Sequence, residues 1–196
     1  MPTLLLATRN AHKTGEVRAM LGADWTLQDL SAHPELPEVD ETAPDFAGNA
    51  ALKALSASQR LPGVWVLADD SGLEVDALGG APGVISARYS GEGATDASNR
   101  AKLLKELQGV PPAQRGARFR CAMALARDAV LRAEFDGRVE GRILVEERGA
   151  GGFGYDCLFA PDGHERTFGE LSAEVKNSMS HRARALAQAV EYLRAG

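Results

Sequence analysis

Over its first third the chain alternates short apolar runs with apolar positions at helical spacing. Thr3 to Ala7 (Thr-Leu-Leu-Leu-Ala) has the length and continuity of a buried strand, and polar Thr8-Arg9-Asn10 follows at once. From Lys13 to Leu21, Val17, Met20 and Leu21 fall on one helix face. Trp25 to Leu30 reads as a second strand, and Ser31 to Ala43, rich in proline and acid, as a loop. Phe46, Ala50, Ala54 and Ala57 predict a helix with small residues on one face, started by Pro44-Asp45. Val64 to Ala68 predicts a strand that stops at Asp69-Asp70-Ser71-Gly72, and Gly79-Gly80-Ala81-Pro82-Gly83 is turn punctuation. Thr95 can cap a helix running to about Leu107. Arg118 to Arg127 and Val130 to Val145 predict a hairpin turning near Asp128-Ala129. A glycine-rich loop at Gly149 to Gly154 leads into an extended run, Tyr155 to Phe159. The last helix, capped by Ser180, buries Ala183, Leu186, Val190 and Leu193. Early alternation followed by a hairpin gives an α/β class with a mixed sheet.

Composition narrows the function classes. At 196 residues the chain fits one domain, or one domain of two lobes around a cleft. A formal net charge of −5 argues against a broad nucleic-acid or membrane-binding face, while leaving room for a small basic pocket. Cys121 and Cys157 have neither paired nor zinc-like spacing, so a reducing compartment is expected. The N-terminal run lacks the basic flank of a signal peptide, and nothing approaches the roughly 20 apolar residues of a membrane span. A cytoplasmic location is expected.

Four constellations carry candidate chemistry. Thr8-Arg9-Asn10-Ala11-His12-Lys13 lies at a strand-to-helix junction, where free backbone N–H groups and a partial positive charge can cradle a phosphate. It is not a Walker A loop; alone, it could equally be an N-cap and a surface lysine. Asp69-Asp70-Ser71-Gly72 follows an apolar strand, where ligands of α/β sheets gather. Two adjacent carboxylates there suit a hard cation such as Mg²⁺, with Glu41 as a possible further ligand, although an Asp-containing turn would look the same. Gly149-Ala150-Gly151-Gly152-Phe153-Gly154-Tyr155-Asp156 contains a literal G-x-G-x-x-G. A hairpin precedes it and no helix follows, so the dinucleotide reading fails; Phe153 can instead face a base, with Asp156 at its edge, or simply enter the core. Lys176 and Ser180-His181-Arg182 gather donors at the start of the last helix, its positive end; capping explains Ser180 alone, and His181 and Arg182 read equally well as solvent-facing residues of the first turn.

In this order and spacing the segments resemble the inosine/xanthosine triphosphate pyrophosphatase family. The matching residues are Thr8-x-Asn10-x-x-Lys13, Glu41-Thr42, Phe46-x-x-Asn49-Ala50-x-x-Lys53 and Ala68-Asp69-Asp70-Ser71-Gly72-Leu73. They continue through Leu78-Gly79-Gly80-Ala81-Pro82-Gly83, Ser86-Ala87-Arg88-Tyr89, Gly152-Phe153-Gly154-Tyr155-Asp156 and Lys176-x-x-x-Ser180-His181-Arg182. The resemblance implies a two-lobed α/β fold around a long twisted mixed sheet, a central cleft and a homodimer. It implies hydrolysis of ITP, dITP and XTP to the monophosphate and pyrophosphate, with Mg²⁺, or Mn²⁺ in its place. By the same carry-over, Thr8 to Lys13 grip the triphosphate with Lys53 and Ser71. Glu41 and Asp70 hold the metal with Asp69 in support, and Asp70 orients or deprotonates the attacking water. Phe153 stacks on the purine, Gly154, Tyr155, Asp156, His181 and Arg182 lie around it, and Lys176 is near base or phosphates. Gly48 stands where the family commonly has glutamate, and Arg9 where a small or polar residue is frequent. The rival expectations are a pyrophosphatase for modified pyrimidine or 7-methylguanine nucleotides, and a nucleotide sensor without turnover.

Overall fold

A computed structural model describes residues 3–22 and 24–195 of the chain. The apolar runs form β1 (Thr3–Leu6), β2 (Thr26–Asp29), β3 (Trp65–Val75), β4 (Gly116–Arg127), β5 (Val130–Ile143) and β6 (Phe159–Pro161). The helices are α1 (Ala11–Leu21), α2 (Phe46–Ser58), α3 (Asp96–Glu106), α4 (Ala173–Met179) and α5 (His181–Ala195). The strands make a six-stranded sheet in the order β2-β1-β3-β4-β5-β6. β1 pairs parallel with β2 and β3, whereas β5 and β6 pair antiparallel, so the sheet is mixed as the alternation predicted.

The chain divides into two compact units, and β3, β4 and β5 each contribute to both. The first unit comprises the residues up to Asp70, Cys121–Gly137 and those from Arg182 onward. Its core joins Leu4 and Leu6 of β1, Val17 and Leu21 of α1, Leu67, Met123 and Leu125 of the sheet, and Ala185, Leu186 and Ala189 of α5. A buried leucine in such a core is worth about 1.5–3 kcal/mol. The second unit, Ser71–Arg120 with Arg138–His181, has its own core of Leu73, Val75, Leu103, Leu107, Ile143, Leu158 and an aromatic group. There Phe119 meets Phe159 edge-on, with ring centroids 4.8 Å apart.

Caps and turns follow the local chemistry. Asn10, Asp45 and Thr95 cap α1, α2 and α3 through their side-chain oxygens, satisfying amides a helix start leaves free. The hairpin turns at Asp128 and Ala129, both left-handed (φ 55° and 61°), as a two-residue primed turn requires. Alanine disfavours that conformation, but outside bonds hold it: Ala129 N–H donates to Ser58 Oγ at 3.0 Å, and Asp128 Oδ1 accepts from Gly63 N–H at 2.7 Å.

Three expectations are corrected. β3 does not stop at Asp69 but runs through both aspartates to Val75, because each carboxylate finds cationic partners and apolar Leu73 and Val75 resume the pattern. Tyr155 to Leu158 is a turn and not an extended run; Asp156 N–H donates to Phe153 O and Leu158 N–H to Tyr155 O. Lys176 belongs to the separate short helix α4, with Ser180 extended between α4 and α5.

Candidate functional site

Successive side chains of a strand point to opposite faces. Asp69 and Asp70 therefore have different hydrogen-bond partners, although the Lys13 charge acts on both. Both lie just beyond Leu67, which pairs with Leu6 at the end of β1, so they stand where the Thr8–Lys13 segment leaves the sheet. Asp69 is 1% exposed and accepts from the Lys13 ammonium, from Arg182 Nε at 2.9 Å and from the Cys121 thiol at 3.0 Å. Burial alone would raise its pKa, but Arg182 and Lys13 hold it well below the usual carboxylate range. Burial likewise pushes the Cys121 thiol well up, with the Asp69 charge adding to the effect.

Arg182 is turned inward. It is 1% exposed and, besides Asp69, donates through Nη1 to Glu16 of α1. The resemblance places Arg182 around the purine; here its guanidinium is held by these two carboxylates. A buried carboxylate at Asp69 costs several kcal/mol without a cation, and the guanidinium at the first turn of α5 neutralises it.

On the other face, Asp70 Oδ1 accepts from Lys53 Nζ at 2.9 Å and Oδ2 from Asn49 Nδ2 at 3.3 Å. Lys53 Nζ also donates to Glu41 Oε1 at 2.8 Å, so one ammonium lies between the two expected metal ligands. Burial raises the pKa of Asp70, Lys53 opposes this and Glu41 adds to it; the Lys53 ammonium is correspondingly stabilised by both carboxylates despite its burial. Asn49 and Lys53, four apart on α2, present one helix face to Asp70. The Asn49 carbonyl also accepts from Ala43 N–H at 2.9 Å, tying down the loop after Glu41. Gly48 has a packing reason: a Cβ there would come within 2.6 Å of Ala43 Cβ.

At the junction, Asn10 Oδ1 accepts from the N–H groups of His12 and Lys13 at 2.9 and 3.2 Å, and Thr8 Oγ1 from Asn10 N–H at 3.1 Å. Two amides expected to face a phosphate are thus already capped. Ala11 opens α1 and is exposed, as is His12. Arg9 Nη2 donates to Leu36 O at 2.7 Å, so its guanidinium braces the acidic loop. Ser71 follows on β3, half-buried, as the first residue of the second unit.

The second unit holds the aromatic group. Lys176 Nζ lies 5.0 Å from the centroid of the Phe153 ring, at cation–π distance, and donates to Asp156 Oδ2 at 2.5 Å. The same carboxylate oxygen accepts from Phe153 N–H at 2.8 Å. Gly152, at φ 71°, is required here, since a Cβ would come within 2.1 Å of that oxygen. Gly154 is also left-handed, at φ 60°. Tyr155 is buried and its hydroxyl donates to Ser86 O at 2.9 Å. The buried His181 ring stacks on Phe119 at 4.9 Å.

Sequence reasoning gave no role to Glu16, Cys121 or Asn49. Glu16 is three residues from Lys13 and Asn49 four from Lys53, so helical spacing from an expected site lysine was an available signal. Cys121 had none, because only the placing of β4 brings it to Asp69.

The sequence pattern of the Ham1 family matches residues 4–192. A protein of Geobacter sulfurreducens named dITP/XTP pyrophosphatase is 50% identical over 194 residues, 98% of this chain and 97% of its own length. One of the same name from Pseudomonas aeruginosa is 50% identical over 186 residues, covering 94% of this chain and 93% of its own. Among solved structures, a HAM1 protein from Coxiella burnetii superposes over the whole of both chains with a TM-score of 0.88 at 38% identity. The Ham1 protein of Staphylococcus aureus gives 0.87 at 35% identity, over 98% of each chain.

Proposed function

The chain belongs to the Ham1 family, and we propose that it hydrolyses non-canonical purine triphosphates such as dITP, ITP and XTP to the monophosphate and pyrophosphate. The observation that carries the reading is the convergence of Asp70, Glu41 and Lys53 near the β1–α1 junction, on a chain alike end to end to proteins of that name.

Asp70 accepts a proton from water as the water oxygen bonds to the α-phosphorus. The bond from the α-phosphorus to the bridging oxygen breaks, and that oxygen leaves with pyrophosphate. Such transfers are mostly positioning and charge neutralisation, which falls to Lys13, Lys53, Thr8, Asn10 and Ser71 around the triphosphate. Mg²⁺, or Mn²⁺, fits the donor set, because Glu41 and Asp70 are hard oxygen ligands that already hold one cationic group between them. Among the described residues no group of three or more His, Cys, Asp and Glu side chains gathers as a metal site. Phosphate and water oxygens would therefore complete the shell, as is usual for Mg²⁺. When bound, the ion polarises the phosphate oxygens and stabilises the leaving pyrophosphate.

Phe153 offers a face for the purine, and Lys176, Asp156 and His181 offer polar groups for its edge. Asp69 with Lys13, Arg182 and Glu16 keeps β3 and the adjoining helices in register beneath Asp70. We further propose a cytoplasmic homodimer: the free thiols of Cys121 and Cys157 suit a reducing compartment, and the dimer rests on the family resemblance alone. Pyrophosphate release from ITP against ATP, with and without Mg²⁺, tests the reading. Equal rates on both nucleotides, or none on either, overturn it.

A further inference from the structure

We propose that Asp96 and Arg100 are positioning residues that hold the Phe153 loop in the conformation that stacks a base. The inference rests on the reading of Phe153 as that platform. Residues 149–154 include Gly149, Gly151, Gly152 and Gly154, a backbone with little stiffness of its own. A ring on such a segment meets a base in one orientation only if the peptides around it are tied down. Asp156 ties the N–H of Phe153, and Gly151 N–H donates to Gly169 O at 2.9 Å. The residue after the ring is fixed from outside the loop.

Gly154 N–H donates to Asp96 Oδ2 at 2.7 Å, and Gly154 O accepts from Arg100 Nη1 at 3.0 Å. Asp96 is the first residue of α3 and Arg100 lies four on, so one turn of one helix face grips Gly154 at both ends. Thr95 and Ser98 form a reciprocal capping box at that helix start, which fixes the turn carrying Asp96. Arg100 Nε also lies 3.0 Å from Glu147 Oε1, just ahead of the loop. One guanidinium thus bridges the chain before the glycines to the last of them. A planar fork can serve two acceptors in fixed directions; a lysine ammonium at the same position can serve one of them well.

The residues touch no substrate in this scheme, so their effect passes through Phe153. Arg100→Met is expected to raise KM for ITP about tenfold with kcat within threefold, and Arg100→Lys to recover part of the loss. On ribose 5-triphosphate, which has no base, Arg100→Met and wild type are expected to agree within twofold. In a Phe153→Ala background the same substitution is expected to cost less than twofold, because the platform it orients is gone. Amide exchange of Gly151 to Tyr155 is expected to speed up in Arg100→Met and in Asp96→Asn, while Leu103 and Leu107 in the core keep their protection. A normal KM with a mobile loop, or an equal loss with and without the base, overturns the positioning role. If Phe153→Ala leaves KM for ITP unchanged in the wild-type background, the platform reading itself falls and takes this inference with it. If Phe153→Ala costs tenfold and Arg100→Met nothing, the platform stands and only the clamp is wrong.

Discussion

The Asp69–Asp70 stretch of β3 and the Phe153–Asp156 turn both bury a carboxylate against an ammonium, Asp69 with Lys13 and Asp156 with Lys176. Their backbones differ. The aspartates ride a continuous strand, whose alternation decides which face each charge meets. The aromatic turn depends on left-handed glycines and on bonds from α3 and α4. Charge that must meet a phosphorus at a fixed distance gains from a strand's rigidity. A flat ring that stacks on a base tolerates small displacements, since stacking has no sharp directional requirement.

The largest effects test the strand side. Asp70→Asn is expected to lower kcat for ITP by about 10³-fold or more, ~4 kcal/mol, while nucleotide binding is largely kept. Stopped assays beside equilibrium titration check this, and a loss under tenfold removes Asp70 from the chemistry. Excess EDTA is expected to abolish turnover, Mg²⁺ or Mn²⁺ to restore it, and Ca²⁺ to do so poorly, because its shell is larger and looser. Full activity in EDTA excludes the metal role of Glu41 and Asp70.

Arg182→Ala separates the two regions next. Removing the guanidinium strands a buried Asp69, a change that typically costs about 3–5 kcal/mol. Denaturant unfolding should show that loss, and kcat/KM for ITP and ATP should fall together. A collapse of the ITP/ATP ratio at unchanged stability would instead return Arg182 to the purine edge. Phe153→Ala is expected to cost about tenfold in kcat/KM for either base, ~1.4 kcal/mol, with little change in unfolding, since the ring sits half-buried on a loop.

Much of this was legible in the chain. Strand and helix positions followed from apolar spacing, and the caps Asp45 and Thr95 from their side chains. The motif resemblance brought Asp70, Glu41 and Lys53 forward together, and the structure joins them by hydrogen bonds. What the linear pattern hid was direction. Asp69-Asp70 reads as a turn because two charges break an apolar run; only their partners, up to 113 residues away in sequence, show that a strand can carry them inside. The same holds for Arg182, since a sequence shows that a donor exists but not which carboxylate, here Asp69 and Glu16, will claim it. The Tyr155 turn escaped because its bonds depend on the Asp156 side chain folding back on Phe153.

The smallest expected effect uses the two thiols, one in each region, as reporters of local opening. Cys121 lies on β4 against Asp69 and is fully buried; Cys157 follows Asp156, beside Glu147, and is 9% exposed. Burial pushes the Cys157 thiol up to about 11, with the Glu147 carboxylate adding to it. At pH 8 only about one such thiol in a thousand is ionised, against roughly a quarter of ordinary cysteines, so labelling should be about 200-fold slower than for a free thiol. The rate at Cys157 should then climb about tenfold per pH unit from 8 to 10, because the thiolate is the reacting form and its fraction rises with pH below the pKa. Cys121 should react at least tenfold more slowly than Cys157, since reaching it requires the strand to part while reaching Cys157 requires only the glycine turn to shift. Saturating inosine monophosphate should slow Cys157 and leave Cys121 unchanged, because a base on Phe153 immobilises the turn and not the strand. Peptide-resolved alkylation gives both rates in one experiment. Equal rates for the two thiols, or a Cys157 rate indifferent to the nucleotide, would mean that the turn is as rigid as the strand.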